Sequence, residues 1–189
     1  NLGRANDGSY YETQNYAITE SHEPGSTFKL VDLIAVLDDK KADTSKIYDS
    51  KGGVIEYYGR KVRDSKPGGY GKISLARGFE LSSNTVLVQS VYDSYKNNPK
   101  QFVDRINSYG LNKPLGLPIK GEGKPVIPQP GTNRWSGVAL PWMAFGYGLS
   151  VTPLQTLTLY NAVANDGVMV KPIFVSEIKE WNKTIKKYN

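Results

Sequence analysis

An α+β fold is predicted by the chain's patterning, on three observations. Residues 30–37 (LVDLIAVL) are apolar nearly all the way round a helix, with only Lys29 and Asp32 interrupting, as in a buried helix. The stretch TPLQTLTLYNAVANDG sets Thr152 and Gln155 as a capping box with Pro153 at the first helical position, and it stops at Gly167. Between such helices lie short stretches, VIEYYGRKVRD and VKPIFVSEIKEW, whose composition and alternation read as strands. With 189 residues, 39% of them hydrophobic and 22% charged, the chain has the length and composition of one domain with a core rather than of a disordered segment.

In order, residues 1–20 read as a turn-rich segment around Asn6, Asp7 and Gly8 leading into a short strand over 15–19. Pro24 and Gly25 then break the chain, and Ser26 falls at the start of the apolar helix. Residues 40–71 are rich in Gly and Tyr, and the hairpin turning at Tyr58 and Gly59 is expected to be a satellite of the core. From Ile73 the pattern is helical, with Ser74 as a cap and Leu75, Ala76 and Phe79 on one face, until LSSN interrupts at 81–84. A second helix follows over 85–95, and a third runs from Pro99 to Gly110 with Phe102, Val103, Ile106 and Tyr109 facing a core. The prolines and glycines of LNKPLGLPIKGEGKPVIPQPG forbid long regular structure. After the capping-box helix, residues 170–181 alternate as a strand, Asn182 and Lys183 turn, and TIKKY starts its partner.

Composition excludes several chemistries. There is no Cys, hence no thiol nucleophile, no disulfide and none of the usual zinc sites. The single His22 would have to serve a Ser-His-Asp triad from four residues before Ser26, and it reads instead as a loop residue. No GxxxxGKS/T and no strand–GxGxxG–helix unit is present, since Gly146 and Gly148 of FGYGLS lack that context. Asp38 and Asp39 read as a solvated helix end, and the sequon at 182–184 as incidental. The formal charge of +6 is spread over the chain, concentrated only at Lys183, Lys186 and Lys187, so a solvated basic surface is expected rather than a nucleic-acid partner. No apolar run is long enough to cross a bilayer, and the chain, starting at Asn1, is expected to be a piece of something longer.

Ser26 and Lys29 are the chemical candidates. Residues three apart on a helix share a face, so the Lys29 amine can reach back towards the Ser26 hydroxyl and pair a base with a nucleophile. To act as a base the lysine must lose its proton near neutrality, which takes about 4 kcal/mol of destabilisation of the cation. Burial supplies that, and the positive end of the helix dipole adds to it. At the helix start the Ser26 N–H is also free to face an oxyanion; one more donor is needed. The spacing alone is weak, because a second SxxK stands at Ser176 and Lys179 in an expected strand. For a bare SxxK, a capping serine and a snorkelling lysine are the favoured reading.

With EPGSTFK and SSN both read, the sequence resembles the transpeptidase domain of class B penicillin-binding proteins, of the division-specific, FtsI-like kind. NYAITESHEPGSTFK, GRKVRD, LARGFELSSNTVLVQ, FGYGLSVTPLQ and NDGVMVKP carry the resemblance, in order, over nearly the whole chain. It implies the penicillin-binding transpeptidase / serine β-lactamase-like fold, here mainly its helical part with an incomplete central sheet. It makes Ser26 the acylated nucleophile and Lys29 its general base. Ser82, which relays a proton, and Asn84, which hydrogen-bonds the substrate amide and the lysine, match the family's SxN. Asn84 is equally read as a cap for the helix at Thr85.

The family's KTG or KSG is absent; the chain ends just before the region expected to hold it, and the strand before EPGSTFK is expected to be left out as well. Residues 1–189 are therefore read as a partial transpeptidase domain, and the fragment alone as inactive or slow. The resemblance implies peptidoglycan stem peptides as substrates, β-lactams as acylating mimics, divisome proteins and a glycosyltransferase as partners, no cofactor, and a single-pass anchor in the inner membrane with the catalytic domain outside the cytoplasm. Alternatives that use the same serine are a β-lactamase, a carboxypeptidase or a β-lactam sensor; a non-catalytic scaffold is the alternative of another class.

Overall fold

The computed structural model describes residues 2–188. Its elements run β1 (Leu2–Arg4), β2 (Tyr10–Glu12), α1 (Tyr16–Thr19), α2 (Lys29–Asp38), β3 (Ile47–Asp49), β4 (Val54–Tyr57), β5 (Arg60–Arg63), β6 (Lys72–Ser74), α3 (Leu75–Glu80), α4 (Asn84–Tyr95), α5 (Pro99–Ser108), α6 (Ala139–Met143), α7 (Pro153–Ala164), β7 (Glu177–Glu180) and β8 (Lys183–Lys187). A 3-10 turn over Gly25–Phe28 leads directly into α2. The strands pair antiparallel as β1–β2, β3–β6, β4–β5 and β7–β8, and no sheet among the described residues exceeds two strands. The expected α+β architecture, weighted to helix, is what forms.

Helix α4 is the centre, packed by α2, α3, α5 and α6. Its Val86, Leu87, Val88 and Val91 are fully buried, with Val36 of α2, Phe102 and Ile106 of α5 and Met143 of α6 in the same cluster. Each such side chain contributes about 1.5–3 kcal/mol by leaving water. Gly78 lets α3 lie against α4, because a Cβ there would stand 2.4 Å from Val86 Cγ1. The Tyr95 hydroxyl donates to the Ala35 carbonyl and to Asp39 (2.8 Å each), clamping the ends of α2 and α4 together. Asp39 also accepts from Arg105 Nε (2.9 Å), so this carboxylate is an enclosed tie between α2, α4 and α5 and not the solvated helix end expected.

Local signals located most elements. Ser74 caps α3 through the Arg77 N–H, both halves of the Thr152–Gln155 capping box form, and Gly110 and Gly167 take the left-handed conformation just past α5 and α7. Tyr58 and Gly59, both with positive φ, make the tight turn between β4 and β5. Two of the expected strands fail. Residues 15–19 form the helical turn α1 instead of a strand, because the Asn15 side chain accepts the Ala17 N–H and caps it. The strand expected over 170–181 is confined to β7, with the chain irregular over 168–176.

Candidate active site

Three segments distant in sequence build the site. The first carries Ser26. The stretch after α6 lies alongside residues 22–25: His22 and Val151 exchange two backbone hydrogen bonds (3.1 Å each), the Gly25 N–H donates to the Gly146 carbonyl (3.0 Å), and Glu23 accepts the Gly148 N–H (2.8 Å). Gly146 allows this approach by having no side chain, since a Cβ would stand 2.0 Å from the Gly25 oxygen. From α7, the Tyr160 hydroxyl donates to the Thr27 carbonyl (2.9 Å). Ser26 is thereby presented exposed in the first turn, ahead of the intrahelical hydrogen bonds, while Phe28 and Lys29 turn inward. The signal for this support was the pair of glycines in FGYGLS, set aside for lacking a nucleotide-binding context.

Lys29 is 1% exposed, and its three amine donors are taken by the Ser82 carbonyl (2.6 Å), the Ser82 hydroxyl (2.9 Å) and Asn84 Oδ1 (2.6 Å). Burial pushes its pKa down from 10.5 to about 8, against the pull of Asp32 and Asp64, which favour the ammonium. The structure thus brings Lys29, Ser82 and Asn84 into contact. Ser26 stands one turn from Lys29 on the same segment, but the lysine's donors point to the SSN loop and not to the Ser26 hydroxyl.

The loop between α3 and α4 owes its shape to Ser82, a non-glycine residue at φ +52°, whose carbonyl and hydroxyl both face Lys29. Ser83, not Asn84, caps α4, accepting the Val86 N–H (3.2 Å). Asn84 is left free of that duty and donates its amide to the Arg63 carbonyl (2.7 Å), which fixes its oxygen toward Lys29. Asp64, following β5, accepts from the Ser83 hydroxyl (3.0 Å), the Thr85 N–H (3.0 Å) and the Thr85 hydroxyl (2.8 Å). The β4–β5 hairpin is therefore no satellite, since its end seats the loop that receives Lys29. Sequence reasoning assigned Asp64 no role; its signal was the acidic residue closing GRKVRD.

Within the described residues no group of His, Cys, Asp and Glu is placed to hold a metal ion. What the arrangement offers is a buried amine of lowered proton affinity, in contact with the Ser82 hydroxyl and one turn from Ser26, both of these serines being exposed.

The model of the penicillin binding protein transpeptidase domain matches residues 3–189. The chain belongs to that family. Among curated relatives of this transpeptidase chain, stage V sporulation protein D of Bacillus subtilis is 30% identical over 188 residues, covering 96% of the chain and 27% of the relative. The peptidoglycan D,D-transpeptidase FtsI of Escherichia coli is 28% identical over 167 residues, covering 87% and 26%. The chain thus spans about a quarter of the length of these relatives. In three dimensions it is similar to penicillin binding protein 3 of Mycobacterium tuberculosis, solved in complex with aztreonam, with a TM-score of 0.75 at 28% identity over 88% of this chain and 36% of that one.

Proposed function

We propose that these residues belong to a peptidoglycan D,D-transpeptidase that works through an acyl-enzyme on Ser26. The observation that carries this reading is the Lys29 amine, buried, depressed to a pKa of about 8 and held against Ser82 and Asn84. At pH 7 about a tenth of such a group is uncharged. As an amine it keeps two N–H donors for the Ser82 carbonyl and Asn84 Oδ1, and its lone pair is released for a hydroxyl proton.

The Ser26 oxygen attacks the amide carbonyl of a stem peptide ending in D-Ala-D-Ala, and its proton passes to Lys29. The Ser26 N–H supplies one donor to the oxyanion. As the C–N bond breaks, Ser82 hands a proton held by Lys29 to the departing D-Ala, and Asn84 holds the donor amide. The ester then passes to an amine of a second stem peptide. β-Lactams acylate the same serine, a reading supported by the aztreonam complex of the similar structure.

The residues are part of a transpeptidase domain whose KTG strand and remaining central sheet come from outside positions 1–189, in keeping with the absence of KTG or KSG from the sequence. A role in septal synthesis is supported by the similarity to FtsI. An extracytoplasmic placement, with divisome proteins and a glycosyltransferase as partners, accords with the same resemblance; no helix among the described residues is long and apolar enough to cross a membrane. The test is labelling of the full-length protein by a fluorescent penicillin: wild type is labelled and Ser26→Ala is not. Persistent labelling of that variant refutes the assignment.

A further inference from the structure

Asp32 is a charged residue for which the acylation scheme has no use, and its surroundings give it no structural one. It lies one turn after Lys29 on α2, between Val31 and Leu33, and is 0% exposed. Neither carboxylate oxygen has a hydrogen-bond partner. A buried carboxylate without donors costs stability at a position where an apolar side chain would pack without penalty. It caps nothing and ties no elements together, unlike Asp39 and Asp64. What it has is the lysine: on a helix, side chains three apart are neighbours, and Lys29 and Asp32 lie on the same buried side of α2. They form no direct ion pair, so neither neutralises the other by contact.

The charges around this pair are few. On α3, Arg77 and Glu80 are paired with each other at the surface. On α4, Asp93 is exposed beside Lys96. On α5, Lys100 pairs with Asp104, and Arg105 is held by Asp39 at the far end of α2. Asp64, beyond β5, also acts on Lys29. Two ionisable groups enclosed together, with the rest of the field remote, titrate as a unit.

We propose that Asp32 is a positioning residue for the proton on Lys29: the two form a coupled buried pair, and the charge on Asp32 sets the pH at which Lys29 becomes a free amine. Burial pushes the Asp32 carboxyl well above its ordinary range, with Lys29 pulling it back. Asp32 therefore loses its proton far above 3.8, and as it ionises it raises the proton affinity of the base. The sequence thereby trims a lysine whose burial alone would lower its pKa further. This rests on the reading of Lys29 as the acylation base, so the test has one arm that needs that reading and one that does not.

In the first arm, the rate of penicillin acylation of the full-length protein is measured against pH for wild type and Asp32→Asn. The half-rise of the variant is expected about one pH unit lower, with a severalfold faster rate on the acid side. Coincident half-rises in two folded proteins overturn the proposal. The second arm is a double-mutant cycle of unfolding free energy with Asp32→Asn, Lys29→Met and both together, at pH 5 and pH 9. A coupling that changes between the two pH values supports the pair, and additivity at both overturns it. Should Asp32→Asn not fold, Asp32→Thr takes its place in both arms. If wild type is not acylated at all, the transpeptidase reading fails and the cycle still decides the pair.

Discussion

Replacing Gly146 by Ala tests whether the stretch after α6 holds Ser26 in place. The added Cβ would stand 2.0 Å from the Gly25 oxygen and 2.6 Å from its carbonyl carbon, whereas real Cβ atoms essentially never approach below 3.0 Å. The two backbones must therefore part by about an ångström or more, since neither contact atom belongs to a flexible side chain. Overpacking of that kind costs about 1–3 kcal/mol. The φ of +84° at Gly146 adds about 1 kcal/mol for a residue with a Cβ. Loss of the hydrogen bond from the Gly25 N–H adds about 1 kcal/mol more. The expected destabilisation is about 3–5 kcal/mol by urea unfolding, with acylation by penicillin slowed about a hundredfold, because Ser26 directly follows the displaced residue. Gly148→Ala is the control: its φ is +72°, but the nearest atom to a Cβ is 4.0 Å away, so about 1 kcal/mol is expected. If Gly146→Ala is no worse than Gly148→Ala in stability and acylates within about twofold of wild type, the backbone contact does not position Ser26.

Two further substitutions address the other segments. Asp64→Ala strands the Thr85 N–H and two hydroxyls at the start of α4, and a loss of about 2–4 kcal/mol is expected in denaturant unfolding, against about 1 kcal/mol for Asp64→Asn, which keeps an acceptor. For Lys29 the folded pKa of about 8 lies below its ordinary 10.5, so the folded state carries the full penalty below about pH 8 and sheds it as pH rises to 10.5. Wild type should therefore gain up to about 3 kcal/mol on Lys29→Met across that window, and a constant difference in unfolding free energy would show the amine to be unperturbed.

How far sequence alone reached depended on the range of the interaction that fixes each feature. The caps at Ser74 and Thr152, the glycine stops after α5 and α7, and the apolar run of α2 are governed by neighbours within a turn or two, and each was legible. The α1 turn was missed because four residues give no period, and one side-chain bond from Asn15 decides between helix and strand. The SSN loop was visible as an interruption, but its support was not: Asp64 is separated from Ser83 by 19 residues, and Gly25 meets Gly146 across more than a hundred. Nothing local in GRKVRD or FGYGLS records those partners. The pairing of Lys29 with Asn84 was implied by a family pattern, but its contacts with the Ser82 carbonyl and hydroxyl were not, and geometry by spacing suggested Ser26 as its neighbour instead.

Acyl transfer through Ser26 requires a covalent bond to that one oxygen. Full-length protein treated briefly with a β-lactam, digested and sequenced by mass spectrometry should carry the adduct on Ser26, with formation slowed by at least about a hundredfold in Lys29→Met. An adduct on Ser82 or on any other residue, or one on Ser26 that forms at the wild-type rate without the lysine, would contradict it.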